Sequence, residues 1–270
     1  MVWHQCIGIP PRWPQLKAEL AKDNGESDLV IQITDNCDGE TSVYWDDQGA
    51  ALATWTPQRN VVLSRMQTGQ AERLAKHLKG QPLLGVSGHL PEVESFVATW
   101  TRAASDQGER LDQTLTLYDL PKPIPPRPCP GKARECRRSD LDHVLAWMKA
   151  FHQETEPGAP APRRATIDRG LARGTYRYWM VEERPVCLVG IRWISATTSR
   201  IAPVYTPPND RQRGYASALV YEVAKRAVNA GRCTLLADQA NPTANAVYQA
   251  LGFRRRADFQ VWTFEAARKD

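Results

Sequence analysis

The sequence has few cysteines, and none of them is spaced like a metal ligand or a disulfide framework. Six occur in 270 residues, at positions 6, 37, 129, 136, 187 and 233. The absence of a Cys-x-x-Cys pair excludes a zinc ribbon and a small disulfide-stabilised fold. Isolated cysteines are typical of reduced thiols. Because the N-terminus also lacks a basic region followed by an apolar core, we expect a cytoplasmic protein without a metal.

Long apolar runs and the common phosphate-binding loops are also missing. No run approaches 18 apolar residues, which excludes a membrane-spanning helix and a membrane partner. Neither GxxxxGK[ST] nor a GxGxxG after a strand occurs, so a P-loop and a dinucleotide fingerprint are excluded. The hydrophobic fraction of 42% and the charged fraction of 24% are those of an ordinary globular protein.

Charge is distributed unevenly along the chain. Residues 1–120 carry 10 Lys and Arg against 16 Asp and Glu, whereas residues 121–270 carry 25 against 14. The sign changes at 121–130, where six of ten residues are prolines and neither a helix nor a central strand can form. We therefore predict an N-terminal domain over 1–120, a Pro-rich linker over 121–130 and a C-terminal domain over 131–270. The basic C-terminal domain is suited to an anion, either nucleic acid or a phosphorylated cofactor.

Hydrophobic periodicity predicts mixed α/β structure in both domains. In the first domain, Leu29–Thr34 is predicted to be a strand because it is rich in β-branched residues. In the second, three successive strands precede a helix that begins at Gly214, and a short strand, a short helix and a long final strand follow. The predicted strands are 176–181, 186–194, 200–205, 234–237 and 253–265, and the short helix is 242–251. Short links between the first three strands favour antiparallel pairing. The predicted fold class is therefore α/β, of the α+β kind, with a mixed sheet.

The turn between the third of these strands and the long helix is the most informative stretch. A strand ends at Pro207 and Pro208, a turn with two arginines follows, and an amphipathic helix begins at Gly214. Backbone N–H groups at a helix start lack intrahelical acceptors, and the helix dipole adds partial positive charge there. This turn therefore favours an anion such as a pyrophosphate, although a helix start with solvated arginines has the same pattern.

Two motifs in this region resemble those of one superfamily. Arg211-x-x-Gly214-x-Ala216 resembles the (R/Q)xxGx(G/A) acyl-CoA signature of the GNAT N-acyltransferases, and Asn241, seven residues before Tyr248 and followed by Leu-Gly-Phe, resembles their closing motif. The resemblance covers residues 131–265 and implies a GNAT fold there. Gly88–Phe96 with Trp100 resembles the N-terminal half of tandem GNAT proteins, which implies a degenerate GNAT-like first half that has lost its signature.

The resemblance implies acetyl-CoA as the acyl donor, bound between two splayed parallel strands. Arg211 or Arg213 would reach the 3′-phosphate, although both residues also suit ordinary surface solubility. The resemblance implies the following cofactor-binding residues: Val204, Tyr205, Thr206, Arg211, Gln212, Arg213, Gly214, Tyr215, Ala216, Ser217 and Asn241. Asn241 equally suits an N-cap of the short helix.

The implied chemistry is direct transfer of an acetyl group to a primary amine in a ternary complex. Tyr248 matches the general acid that protonates the leaving thiolate, or it is a core tyrosine. An amine must lose a proton before it attacks, and Glu154 is the predicted general base, with Glu182 and Glu183 as alternatives in a turn. A covalent route through Cys187 or Cys233 is the minor alternative, because a cysteine on a strand is usually a buried apolar residue.

Two other functions compete with catalysis. A non-catalytic acyl-CoA-binding module would keep the signature without turnover, and a nucleic-acid-binding protein would use the basic half. Only Arg254–Arg256 form a basic run, so the sequence disfavours nucleic acid. We expect either a monomer that is an internal pseudo-dimer or a homodimer.

Overall fold

The structure is a computed structural model that describes residues 2–23, 25–37, 39–47, 51–103, 108–157 and 160–265. Within these residues, no helix has both the length and the apolar character needed to cross a membrane. The chain divides into two compact units. Unit 1 contains Met1–Leu117, Ala237–Ala240 and Arg256–Asp270, and unit 2 contains Tyr118–Leu236 and Asn241–Arg255.

The units differ from the predicted domains mainly at the end of the chain. Residues 256–265, which the sequence places in the second domain, group with unit 1 as the greater part of its last strand. The Pro-rich segment 121–130 groups with unit 2. The split into 1–120, 121–130 and 131–270 stays a prediction about separable domains.

Each half of the chain has the same order of elements: a strand, two helices, three strands, a helix, a strand, a helix and a strand. The first half consists of β1 (Trp3–Ile7), α1 (Trp13–Leu20), α2 (Asp28–Asp35), β2 (Ser42–Asp46), β3 (Leu52–Trp55), β4 (Val61–Leu63), α3 (Thr68–His77), β5 (Gly85–His89), α4 (Glu92–Ala103) and β6 (Gly108–Asp119). The second half consists of β7 (Lys132–Glu135), α5 (Leu141–Thr155), α6 (Arg164–Ala172), β8 (Tyr176–Val181), β9 (Arg184–Trp193), β10 (Thr198–Tyr205), α7 (Tyr215–Ala230), β11 (Arg232–Asp238), α8 (Pro242–Ala250) and β12 (Arg254–Glu265). The repeat confirms the tandem arrangement and the mixed α/β fold class.

Strand order within each unit places one parallel pair beside antiparallel neighbours. In unit 2 the order is β11-β10-β9-β8-β7, and only β10 and β11 are parallel. In unit 1, β4 and β5 are parallel within the order β1-β2-β3-β4-β5-β12-β6. Each parallel pair is joined by a helix, α7 in unit 2 and α3 in unit 1, as a parallel connection requires.

The prediction of a strand over Leu29–Thr34 is wrong, because these residues form most of α2. The buried positions are Val30, Ile31 and Thr34, which have helical spacing, and the Thr34 hydroxyl donates to the Val30 carbonyl at 2.9 Å. Burial against the rest of unit 1 outweighs the strand preference of a β-branched run. The predicted strand 176–181 and the helix that follows Gly214 are confirmed.

The helices of unit 2 bury residues against its sheet. α5 and α6 contribute Val144, Met148, Ile167 and Leu171 to a core that includes Tyr178 of β8. α7 packs against β8, β9 and β10, and its buried positions from Ala218 to Ala227 recur at helical spacing. This packing fixes the start of α7 close to the beginning of β9 and the end of β10.

The Pro-rich segment 121–130 is hydrogen-bonded to the rest of unit 2. Ile124 donates its N–H to the Leu251 carbonyl at 2.8 Å, and the Pro130 carbonyl accepts from the Trp179 indole at 2.8 Å. Between these bonds, Cys129 reaches the start of α7 near Gly214. Proline-rich backbone loses little conformational entropy when it is ordered, so two hydrogen bonds and side-chain contacts suffice to hold it.

Candidate functional site

The two central strands of unit 2 separate towards their carboxyl ends. β10 and β11 pair only over Thr198–Arg200 and Arg232–Thr234, although β10 continues to Tyr205 and β11 to Asp238. A bulge between Ile201 and Val204 interrupts the pairing of β10 with β9 on the other side. A bulge bends a strand, and this one lies just beyond the last residue of β10 that pairs with β11. The second half of β10 therefore lacks β11 as a hydrogen-bonding partner.

The start of α7 lies directly after this opening and presents bare backbone N–H groups. Gln212 and Gly214 both adopt positive φ angles, 62° and 82°, around Arg213. No side chain caps Gly214, and the first intrahelical bond runs from the Ala218 N–H to the Gly214 carbonyl at 3.0 Å. Left-handed residues in such a turn direct successive N–H groups to one side, which makes an anion-binding concavity.

Space in front of Gly214 is open enough for a ligand. Among the described residues other than its two chain neighbours, a Cβ atom added to Gly214 would meet a single atom within 4 Å, the Cβ of Cys129, at 3.7 Å. The residues from Arg211 to Gly214 are exposed. A diphosphate can therefore approach the main chain here, which fits the signature that the sequence predicts at Arg211, Gly214 and Ala216.

Asp210 fixes the front of this turn. Its carboxylate is buried and accepts two hydrogen bonds from the Arg184 guanidinium, both at 2.8 Å. Arg184 lies just after the two-residue turn Glu182–Glu183, in which both residues are exposed and have positive φ. The Arg184 guanidinium holds the pKa of Asp210 below its usual value. The pair ties the turn before α7 to the β8–β9 hairpin.

We expect Arg184→Gln to lower the melting temperature more than Asp210→Asn does. The first change leaves a buried carboxylate unpaired, whereas the second leaves an exposed guanidinium that water can solvate. Asp210 has a lowered folded pKa, so the ion pair stabilises the protein above the unfolded pKa of about 3.9 and this contribution is lost as the pH falls through the folded pKa. Thermal unfolding between pH 7 and pH 3 checks both statements. Equal losses for the two variants at pH 7 contradict the first statement. A stability difference between the wild type and Asp210→Asn that does not shrink as the pH falls contradicts the second.

Arg211 and Glu154 form a second ion pair at the turn. Arg211 Nη2 contacts both carboxylate oxygens of Glu154, at 2.8 and 2.7 Å, and Arg211 Nε donates to the Thr206 carbonyl at 2.9 Å. Both side chains are 45% exposed. The residue predicted to bind phosphate and the residue predicted to be the general base are thus joined across 57 positions of sequence.

Tyr248 points its ring into the core of unit 2 from α8. Its side chain is buried against Tyr118 and Phe253, and its hydroxyl forms no hydrogen bond with any residue in the described part of the chain. Burial raises the pKa of Tyr248, and nearby Cys187 adds to that rise. The hydroxyl is therefore protonated at neutral pH, the state that a proton donor needs.

Asn241 caps α8, one of the two roles that the sequence allows. Its side-chain oxygen accepts the Ala244 N–H at 3.0 Å. The side-chain nitrogen makes no bond to another described residue, so it is available as a donor. Tyr118 holds the next turn of the helix, because its hydroxyl donates to Asn245 at 2.8 Å and accepts from Gln249 at 3.2 Å.

Cys187 is fully buried on β9, and burial raises the pKa of its thiol to about 12. Cys233 is equally buried on β11. A thiol with such a pKa holds almost no thiolate at neutral pH and is a poor nucleophile. The covalent alternative therefore has no support from the environment of Cys187.

The corresponding helix start in unit 1 is closed by the chain's own side chains. The Gln67 N–H, immediately before α3, donates to the Gln70 side-chain oxygen at 2.7 Å, and the Gln70 side-chain nitrogen donates to Asp46 at 2.7 Å. Arg65, in the same turn, donates to the Glu92 carboxylate and to the Leu90 carbonyl. Of the two equivalent turns, the one before α7 is thus the better suited to an external anion.

Sequence reasoning identified the turn but missed its supporting ion pairs. Arg184 and Asp210 are 26 positions apart, and neither lies at a signature position. Tyr118, which anchors α8, belongs to the end of β6 in the other half of the repeat. No short-range spacing indicates such pairs, since they depend on which strands become neighbours.

Comparisons with known proteins agree with this geometry. A family model described as "FR47-like protein" matches residues 180–263. No curated protein matches the chain. Among solved structures, a GNAT-family acetyltransferase from Colwellia psychrerythraea has a TM-score of 0.62 at 8% identity, covering 98% of this chain and 100% of its own. A GCN5-related N-acetyltransferase from Sphaerobacter thermophilus has a TM-score of 0.62 at 16% identity, covering 98% and 95%.

A tandem GNAT protein from the clavulanic acid biosynthesis pathway resembles the whole chain. It has a TM-score of 0.58 at 11% identity, and both chains are covered over 100% of their length. At these identities the likeness establishes the fold. The chain therefore has the GNAT fold in its tandem form, and its resemblance to the GNAT superfamily is confirmed.

Proposed function

We propose that the protein is an N-acyltransferase that transfers an acetyl group from acetyl-CoA to a primary amine by direct transfer in a ternary complex. The observation that carries this proposal is the uncapped start of α7 beside the separated ends of β10 and β11. The neighbours named as acetyltransferases support it at the level of the fold.

In this proposal different residues bind different parts of acetyl-CoA. The N–H groups from Gln212 to Ser217 hold the diphosphate, with Arg211 or Arg213 on the 3′-phosphate. Val204, Tyr205 and Thr206 offer main-chain groups to the pantetheine arm, and the Asn241 side-chain nitrogen donates to one of its carbonyls. The donor supplies a thioester whose carbonyl carbon is open to attack by an amine.

The chain's own groups then move the protons. Glu154 accepts a proton from the acceptor ammonium, directly or through water, because only the neutral amine has the lone pair that attacks. Attack by the amine places negative charge on the thioester carbonyl oxygen, and a main-chain N–H at the end of β10 stabilises this oxyanion. Tyr248, whose hydroxyl is protonated at neutral pH, donates its proton to the departing sulfur, which leaves as a thiol.

The test is a thermal-shift panel on the full chain followed by an amine screen. We expect acetyl-CoA and CoA to raise the melting temperature, and at least one primary amine to release free thiol from acetyl-CoA. Stabilisation without thiol release from a broad panel of amines would favour a non-catalytic acyl-CoA-binding module. No stabilisation by either ligand contradicts the proposed function.

A cysteine substitution separates direct transfer from an acyl-enzyme route. We expect Cys187→Ala to retain kcat within about threefold, because the buried thiol has too high a pKa to act as a nucleophile. Cys233→Ala is the matched control, since it removes an equally buried thiol from β11. Mass spectrometry of the protein with acetyl-CoA should show no acetylated cysteine. Loss of turnover in Cys187→Ala alone, together with an acetylated wild-type Cys187, contradicts direct transfer.

A further inference from the structure

We propose that the Arg211–Glu154 ion pair is a latch that binding of the CoA phosphates opens, so that Glu154 becomes available to the acceptor amine only after the donor has bound. This inference rests on the proposed function and adds an order of events to it. It makes Arg211 a positioning residue that acts on the reaction through Glu154.

Of the contacts that Arg211 makes, one can remain when a CoA phosphate binds, and the other must compete with that phosphate. Arg211 Nε donates to the carbonyl of Thr206, the residue directly after β10. This bond keeps the guanidinium group at the turn. Nη2 alone makes both contacts with Glu154. Because the Glu154 side chain is exposed, its carboxylate can move away from Nη2 while the Nε bond to the Thr206 carbonyl keeps Arg211 at the turn. A phosphate group is the stronger competitor, because it offers more negative charge than one carboxylate and matches the planar guanidinium donors.

The exposure of the pair suits a latch rather than a structural ion pair. Both side chains are 45% exposed, and exposed ion pairs contribute little to stability. The neighbouring pair at Asp210 contrasts with it, since that carboxylate is only 6% exposed. Asp210 and Arg211 are adjacent in one turn. The buried Asp210 carboxylate stays paired with Arg184, whereas the exposed Arg211 can release Glu154.

The consequence for the reaction lies in the use of the Glu154 carboxylate. While Arg211 Nη2 is bonded to both oxygens of Glu154, it competes with an acceptor ammonium group for that carboxylate. When the phosphates take the guanidinium, that competition ends. Deprotonation of the acceptor is thereby confined to complexes in which the CoA phosphates are bound.

The test is isothermal titration of the full chain with CoA. Under this proposal CoA must break the ion pair in order to bind, so Glu154→Gln should bind CoA about two- to fivefold more tightly than the wild type. Glu156→Gln is the matched control: it removes the same charge two residues along, but Glu156 contacts His152 rather than Arg211. Its affinity should stay within experimental error of the wild type. Melting temperatures of both variants establish that they are folded.

Each outcome has a distinct reading. Tighter binding in Glu154→Gln alone supports the latch. Unchanged or weaker binding in Glu154→Gln, or equal tightening in Glu156→Gln, overturns it while leaving the proposed function in place. Absence of CoA binding in the wild type and both variants means that the proposed function itself has failed. A CoA-bound crystal structure in which Arg211 still bonds both oxygens of Glu154 would also overturn the latch.

Discussion

Gly214→Glu should weaken CoA binding by at least about 100-fold. The new side chain starts at the N-terminus of α7, where a Cβ atom would meet the Cβ of Cys129 at 3.7 Å, and it would place a carboxylate beside the diphosphate of the proposed donor. Two unit charges 4 Å apart interact by about 4 kcal/mol at an effective dielectric constant of about 20. Partial screening at this exposed turn leaves roughly 3 kcal/mol, which corresponds to a factor of about 100.

The control for this variant is Gly214→Ala. Gly214 has a φ of 82°, so any side chain there strains the backbone. Alanine introduces that strain without the charge and should weaken binding far less than glutamate does. Isothermal titration with CoA, alongside the melting temperature of each variant, separates the two effects. If Gly214→Glu binds CoA as well as Gly214→Ala does, the diphosphate does not lie at this turn.

Tyr248→Phe should lower kcat by about 100-fold, the lower end of the range for loss of a general acid, while the affinity for CoA stays within twofold. The hydroxyl makes no hydrogen bond within the described parts of the chain, and the phenyl ring keeps the packing against Tyr118 and Phe253. The melting temperature should therefore change little. This split between catalysis and stability distinguishes a proton donor from a core tyrosine.

The pH dependence of kcat provides a second signature of Tyr248. Its pKa is raised, so the protonated form persists above the ordinary tyrosine pKa of about 10. The wild-type rate should not fall through loss of this proton up to that pH. If Tyr248→Phe is as active as the wild type, or loses activity only because it unfolds, Tyr248 is not the proton donor. Tyr118→Phe is a useful comparison, since it removes a hydroxyl that anchors the same helix.

The sequence predicted the C-terminal half of the fold well because its signals are local. The strand over 176–181 and the helix after Gly214 depend on periodicity and on glycine and proline positions. The helix start at Gly214 was recognisable for the same reason, since a signature of six residues encloses the whole turn. Features that a single element determines could therefore be predicted without the structure.

The N-terminal half was harder to predict, because its elements follow tertiary burial rather than local preference. Leu29–Thr34 has the composition of a strand, yet its buried positions have helical spacing. The turn before α3 lacks the signature, so only the repeated order of elements identifies it as the counterpart of the turn before α7. Its closure by Gln70 and Asp46 depends on a contact between residues 24 positions apart.

The supporting ion pairs of the candidate site were also beyond sequence reasoning. Both Arg211 and Glu154 were selected from the sequence, but for separate roles in donor binding and proton transfer. Their contact brings those two roles into one arrangement. The Arg184–Asp210 pair was not selected, because its members lie outside both motifs and meet only when the β8–β9 hairpin is next to the turn.

Backbone amide shifts of the turn test the central claim most directly. In a ¹H–¹⁵N correlation spectrum of the full chain titrated with CoA, the N–H groups of residues 212–217 should shift strongly and saturate together, while pantetheine, which lacks the diphosphate, should leave them nearly unmoved at the same concentration. If CoA binds and those six amides do not respond, or if pantetheine shifts them equally, the start of α7 is not where the diphosphate is held.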